Sequence, residues 1–152
     1  ETGKSFVSNS KLKANFFSKY VDYPVISDDS GLCIKALNQK PGIYSARLAK
    51  KHGSFFKAMK HILKRMKNKK NRSATFVCSL SLKFPKKKAI NVTGKIKGTI
   101  SKKILGNNGF GYDPIFIPIN AKKTFAEINK KEKNRLSHRS IAINKLINFL
   151  FN

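Results

Sequence analysis

The stretch Pro24-Val25-Ile26-Ser27-Asp28-Asp29-Ser30-Gly31-Leu32-Cys33-Ile34 places an acidic pair between two short apolar runs. Asp, Ser and Gly supply the hydrogen bonds and φ freedom of a tight turn, so the pattern predicts a strand, an acidic turn and a second strand. The pair is unusual because the chain holds 7 acidic residues against 33 basic ones. Paired carboxylates can hold a divalent cation or act as a general base. An ordinary hairpin turn explains the same residues, so function depends on further motifs.

Length and composition indicate one folded domain. The chain has 152 residues, 40% hydrophobic residues and 12 Phe, enough for a core of its own. No apolar run is long enough to cross a membrane. Cys33 and Cys78 lie in apolar, strand-like runs, which favours buried reduced thiols and a cytoplasmic protein. Because the chain opens at Glu1 and runs almost directly into a helical pattern, we expect a further segment to precede it.

The strong positive charge has two explanations. A formal net charge of +26 and a pI of about 10.4 are typical of proteins that bind nucleic acid or membrane surfaces. However, the lysines are spread along the chain, and the densest run, from Lys64 to Arg72, lies at a predicted helix end. A solvated basic face explains that run, so nucleic acid is not the expected partner.

The apolar periodicity predicts alternating helices and strands, typical of an α/β or α+β domain with a mixed sheet. Helical patterns run from a cap at Thr2 or Ser5 to about Val21, from about Ser54 to Lys67, and from about Ser137 to the C-terminus. Beyond the acidic stretch, strand patterns cover 73–83 and 90–98, which we expect to pair as an antiparallel hairpin. Turn signals mark 38–42 and 106–118.

A second motif is Gly109-Phe110-Gly111-Tyr112-Asp113-Pro114-Ile115-Phe116. Glycines around an aromatic residue let the backbone approach a ligand, and Phe110 and Tyr112 offer flat faces for a nucleobase. Asp113 can accept hydrogen bonds from ring N–H or amino groups. A loop that simply packs on the core explains the motif equally well.

A third motif comprises Lys133 and the run Ser137-His138-Arg139. Cations at the start of a helix, together with its free N–H groups, make an anion site. A helix start capped by Ser137, with surface cations, is the alternative. Taken together, the motifs offer carboxylates for Mg²⁺, an aromatic loop for a base and Lys13, Lys133 and Arg139 for phosphates. That inventory favours a nucleoside triphosphate over a polymer.

With these motifs in order, the chain resembles the inosine/xanthosine triphosphate pyrophosphatase family, which cleaves non-standard purine nucleoside triphosphates to the monophosphate and pyrophosphate. The resemblance covers essentially the whole chain. The matching residues are Glu1-Thr2-Gly3, Phe6, Asn9, Leu12-Lys13-Ala14, Ser27 to Leu32, Pro41 to Arg47, Gly94, Gly98, Ile100, Gly109 to Phe116, Thr124, Ala126-Glu127, Lys133 and Ser137-His138-Arg139.

The resemblance implies roles for a subset of these positions. Asp29 would be the general base, and Glu1, Asp28 and Asp29 would hold Mg²⁺. The implied substrate-binding residues are Lys13, Ser30, Arg47, Phe110, Gly111, Tyr112, Asp113, Lys133, His138 and Arg139. It further implies a cytoplasmic homodimer that removes ITP, dITP and XTP. The implied fold is a long twisted mixed sheet between helical lobes, with the site in the cleft.

Two departures and two rivals accompany that resemblance. The family's first strand and phosphate-binding turn have no counterpart before Glu1, and Lys51, His52 and Lys57 replace residues that are often acidic. One rival is a related pyrophosphatase acting on modified pyrimidine nucleotides or nucleotide alarm signals. The other is a basic nucleic-acid- or nucleotide-binding remnant without catalysis.

Overall fold

The computed structural model describes residues 2–151, which form α-helices and β-strands. The helices are α1 (Phe6–Phe17), α2 (Ser45–His52), α3 (Phe55–Arg65), α4 (Lys130–Leu136) and α5 (His138–Phe151). The strands are β1 (Val25–Ile34), β2 (Lys40–Pro41), β3 (Ser73–Lys83), β4 (Ile90–Ile100) and β5 (Phe116–Pro118). The strands form one sheet in the order β2-β1-β3-β4-β5. β2 pairs antiparallel with β1, and β5 pairs antiparallel with β4.

The acidic stretch is a single continuous strand, so the predicted turn at Asp28–Gly31 was wrong. The residues form a strand despite their turn propensity, because α1 and α5 provide hydrogen-bond partners for their polar side chains. Ser27 Oγ donates to the carbonyl of Ser10, and Asp29 accepts from α1. Asp28 is held instead by α5. Successive side chains of a strand point to opposite faces, so the two carboxylates do not face one another.

Capping serines fix the starts of α1 and α3 as the sequence predicts. Ser5 accepts from the N–H of Ser8, and Ser54 accepts from the N–H of Lys57. Each bond satisfies one of the N–H groups that a helix start leaves unpaired. α1 ends at Phe17 rather than near Val21, because the following N–H groups bond only three residues back: that of Lys19 donates to the carbonyl of Phe16, and that of Tyr20 to the carbonyl of Phe17.

The structure divides into two compact units. Of the described residues, the first unit holds 2–30, 77–95 and 138–151, and the second holds 31–76 and 96–137. In the first unit a small core of β3 side chains packs on Ala142 and Leu146 of α5. In the second, a larger core joins α2 and α3 to the strands and to Phe116 and Phe125.

Two helices were not predicted. α2 follows the predicted turn at 38–42, where Asn38 and Gly42 take positive φ as the turn requires. Its Ser-Ala-Arg start has no conventional cap, since no side chain bonds the first turn. α4 spans only 7 residues, with Asn129 as its N-cap. Among residues 2–151, no helix combines the length and apolarity that crossing a bilayer requires.

Candidate active site

Asp29 is a buried carboxylate oriented by an amide from α1. Its side chain accepts a hydrogen bond from Asn9 Nδ2 at 2.9 Å, and the residue is only 7% exposed. Asn9 itself is fully buried, and its Oδ1 accepts no hydrogen bond from the described residues. A buried carboxylate fixed in one orientation can accept a proton at a defined position.

Asp28, on the other face of β1, is paired with a cation. Arg139 Nη2 lies 2.8 Å from Asp28 Oδ2, and Ser30 Oγ donates to the same oxygen at 3.0 Å. Burial alone would raise the pKa of Asp28. The hydrogen bond and charge of Arg139, with smaller contributions from Ser30 and Lys13, outweigh burial and hold that pKa below its ordinary value of 3.8. Asp28 is therefore ionised at neutral pH.

His138 and Arg139 begin α5, as the sequence predicts. His138 is buried, whereas 38% of the Arg139 side chain is exposed. Ser137 ends α4, with its N–H donating to the carbonyl of Lys133. The beginning of α5 thus brings Arg139 to Asp28 and Ser30. We call Asn9, Asp28, Asp29, Ser30 and Arg139 the acidic group; it lies wholly in the first unit.

In the second unit, Asp113 ties the glycine-aromatic loop to α4. It is 2% exposed, and its Oδ2 accepts from the N–H of Phe110 at 2.7 Å and forms an ion pair with Lys133 Nζ. The position of Gly109, at φ +77°, also requires glycine, since a Cβ there would lie 2.2 Å from Asp113 Oδ2. The contacts of the Asp113 carboxylate therefore hold the loop in place.

The two aromatics of this loop have different surroundings. Phe110 is 58% exposed, with Lys133 Nζ 4.6 Å from its ring centroid. Tyr112 is 3% exposed, its hydroxyl donates to the carbonyl of Ser45 at 2.8 Å, and its ring packs edge-on against Phe55. Burial raises the pKa of Tyr112. Phe110 therefore offers the flat face that the sequence predicts, whereas Tyr112 belongs to the supporting wall.

The remaining predicted residues are spread over both units. Lys13 lies on α1 in the first unit, close enough to Asp28 to lower its pKa. Arg47 lies on α2 in the second unit, its guanidinium 4.9 Å from the Tyr44 ring centroid. Gly111, at φ +67°, lies between Phe110 and Tyr112. Glu1, predicted as a metal ligand, lies outside the described residues.

Within residues 2–151, no three or more His, Cys, Asp or Glu side chains gather as a metal site. Cys33 and Cys78 form no disulfide; Cys78 is buried as predicted, which raises its pKa, whereas Cys33 is only half-buried. Sequence reasoning gave no role to Asn9. The available signal was a polar residue one turn after the Ser5 cap, on the side of α1 that the structure buries with Ala14.

Comparison with known proteins assigns the chain to a family. A sequence profile of the Ham1 family matches residues 1–149. The chain belongs to the Ham1 family. The structure of the Staphylococcus aureus Ham1 protein matches with a TM-score of 0.93 and 42% identity, covering 99% of this chain and 78% of that one. A Ham1 protein from Coxiella burnetii matches with the same TM-score and 37% identity. The ITPase-like α/β fold expected from the resemblance is therefore confirmed.

Curated relatives in the Ham1 family carry an activity in their names. The dITP/XTP pyrophosphatase of Clostridium perfringens is 45% identical over 154 aligned residues, 96% of this chain and 76% of the relative. That of Borrelia duttonii is 46% identical, over 99% of this chain and 79% of the relative. The family membership expected from the sequence motifs is thus confirmed.

Proposed function

We propose that this Ham1 protein hydrolyses dITP, ITP and XTP to the nucleoside monophosphate and pyrophosphate, removing them from the nucleotide pool. The observation that carries the proposal is the buried Asp29 carboxylate held by Asn9, next to the charged pair Asp28–Arg139. The names of relatives that are 45% and 46% identical support the same activity.

Asp29 acts as the general base. A water molecule adds to the α-phosphorus while the bond from that phosphorus to the α–β bridging oxygen breaks, and pyrophosphate leaves with the bonding electrons. The proton lost by the water passes to the Asp29 carboxylate. The hydrogen bond from Asn9 fixes that carboxylate, and fixed geometry together with a positioned base contributes about 10²- to 10⁴-fold to rate in comparable enzymes.

Arg139 of the acidic group and two further basic residues of the first unit bind the phosphates. Arg139 is partly exposed, so part of its guanidinium can contact a phosphate while Nη2 remains on Asp28. Lys13 and His138, on the same unit, are assigned to the phosphate contacts that the family resemblance implies. Asp28 and Ser30 act as positioning residues. Ser30 donates a hydrogen bond to Asp28, and Asp28 in turn holds Arg139.

Mg²⁺ is the proposed cofactor. Hard oxygen atoms are its preferred ligands, and the Asp29 carboxylate and the unpaired, buried Asn9 Oδ1 have that chemistry. Asp28 and Glu1 remain proposed ligands from the resemblance, although Arg139 competes for Asp28. When bound, Mg²⁺ would neutralise charge developing on the phosphates.

The loop around Phe110 recognises the purine. A base stacked on the exposed Phe110 ring would lie beside Lys133, whose ammonium can donate to the 6-oxo group of hypoxanthine or xanthine. Asp113 and Tyr112 hold the loop in shape, and Gly111 allows the backbone to approach the base. Arg47 is retained as a proposed substrate contact.

Pyrophosphate release from dITP, XTP, dGTP and GTP, with Mg²⁺ and with EDTA, tests the proposal. We expect faster release from dITP and XTP, and none with EDTA. The assay is repeated on the chain extended by the strand and phosphate-binding turn that the family resemblance expects. Equal rates on all four nucleotides, or duplex DNA binding at physiological salt without hydrolysis in either form, would contradict the proposal.

The proposal also includes a cytoplasmic homodimer. Two cysteines that form no disulfide suit a reducing compartment, and the dimer rests on the family resemblance. Sedimentation equilibrium tests the dimer directly, and a mass equal to one chain at assay concentrations would contradict it.

A further inference from the structure

A small pocket with an apolar floor and a cationic rim lies within the second unit. It has a volume of about 220 Å³. Its walls come from β2, α2 and α3 and from the residues beside them. The lining residues are Leu37, Lys40, Pro41, Tyr44, Arg47, Leu48, Lys51, His61, Ile62 and Arg65.

The floor of this pocket is part of the core. Leu37 is 6% exposed and Ile62 is 1% exposed, and Leu48 packs against the same cluster. Because core side chains are closely packed, the floor has a fixed shape. An apolar group that enters the pocket is removed from water, which favours binding.

The rim carries four exposed cations: Lys40, Arg47, Lys51 and Arg65. None of the described lining residues is acidic. The pKa of His61 is lowered, first by burial and then by His52 and the cations Arg65, Lys51 and Lys64. The positive potential is therefore felt at the pocket wall, and an anion at the mouth would relieve it.

We propose that this pocket binds a small amphipathic anion, consisting of an apolar or aromatic body with one phosphate or carboxylate group. The apolar body would lie on Leu37, Leu48 and Ile62, and the charged group among the rim cations. A volume below the usual range of about 300–1,000 Å³ for drug-sized ligands indicates a body of one or two rings. Of the described lining residues, only Arg47 is also assigned to the nucleotide, so the pocket shares one residue with the proposed substrate contacts and the test variants are made at other positions.

The test uses 1-naphthyl phosphate as the probe, titrated into the full chain and followed by amide resonances. We expect saturable shifts at Leu48, Lys51 and Ile62. Neutral 1-naphthol and inorganic phosphate should each bind at least tenfold more weakly than the probe. The first lacks the charged group, and the second lacks the apolar body. Lys51→Glu and Lys40→Glu should each weaken binding about tenfold.

Lys60→Glu is the matched control, because Lys60 is exposed on α3 but does not line the pocket. It makes the same change in net charge and should bind the probe as the unmodified chain does. Equal affinity for 1-naphthol would overturn the proposal, as would equal weakening by Lys60→Glu. Resonance shifts centred on Phe110 and Asp113 would also overturn the proposal. So would a homodimer whose interface covers the pocket, so that the probe moves none of the pocket resonances.

Discussion

Asp28 and Arg139 form the ion pair that sets the charge at the start of α5. The side chains are 39% and 38% exposed, so solvent screens part of their attraction. The pKa of Asp28 is nevertheless below its ordinary value, because the bond to Arg139 overcomes the effect of burial. A carboxyl with a lowered pKa stabilises the fold above its ordinary pKa, and that contribution disappears as pH falls through the lower, folded value.

Arg139→Gln should therefore raise the pKa of Asp28, as measured by carboxyl ¹³C titration. The difference in unfolding free energy between the unmodified chain and the variant should shrink as pH falls below about 3.8, the ordinary Asp value. Arg135→Gln, an exposed arginine on α4, serves as the control and should leave Asp28 unchanged. An unchanged Asp28 pKa in Arg139→Gln would show that the ion pair does not form.

Lys133 is the cation of a more deeply buried pair. Its side chain is 12% exposed and that of Asp113 is 3% exposed. Removing one partner of a buried pair leaves a charge without compensation, which costs about 3–5 kcal/mol. Lys133→Met should lower the unfolding free energy by about 3 kcal/mol in urea. Lys131→Met, exposed on the same helix, should change it by less than about 0.5 kcal/mol. Equal stability of the two variants would refute the role of the pair.

At the scale of elements, β4 and α5 are in very close contact at Gly94. A Cβ at this position would lie 2.1 Å from the carbonyl oxygen of His138 and 2.4 Å from the N of Ala142. Both are backbone atoms, so the helix itself would have to move. Because α5 carries His138 and Arg139, the fit of this contact also positions the acidic group.

Gly94→Ala should thus destabilise the fold by about 1–3 kcal/mol, the usual cost of overpacking. Pyrophosphate release should also fall, since α5 shifts with its cations. The neighbouring Lys95→Ala is exposed on the same strand and should affect neither property by much. Thermal unfolding together with the activity assay provides both readouts, and an unperturbed Gly94→Ala variant would contradict the contact.

Elements with strong periodicity were predictable, and elements fixed by tertiary contacts were not. β3 begins and ends where the alternation does, and the Ser54 cap places the start of α3. The strand through Asp28 and Asp29 was missed as a strand because its polar residues look like a turn until Asn9 and Arg139 are brought to them. Short helices such as α4 contain too few turns for a periodic signal.

At the scale of the molecule, the net charge of +26 should oppose folding through self-repulsion. Salt screens that repulsion, with a Debye length of about 10 Å at 0.1 M. We therefore expect the melting temperature to rise between about 0.05 and 0.5 M NaCl. The variant with Lys67, Lys69 and Lys70 all changed to Glu should show a smaller rise. A melting temperature that falls with salt would indicate that attractive pairs dominate.

The residue types of the candidate site are visible in the sequence, but their geometry is not. The residue types predict paired carboxylates, cations at Arg139 and Lys133 and an aromatic loop, and the family resemblance implies that Asp29 is the base. The sequence does not show that Asp113 pairs with Lys133 or that the Tyr112 hydroxyl bonds to Ser45. Those contacts join residues that are 20 and 67 positions apart in the chain. It also assigns no role to Asn9, whose partner lies 20 residues away.

The central claim is that Asp29 takes the proton of the attacking water. Its most direct test is the rate of pyrophosphate release from XTP by Asp29→Asn, with Asp22→Asn as the exposed control. Asparagine keeps the shape and can still accept from Asn9, so folding should be preserved. The account predicts a loss of at least about 100-fold for Asp29→Asn and no loss for Asp22→Asn. An Asp29→Asn protein that hydrolyses XTP at the unmodified rate would contradict it.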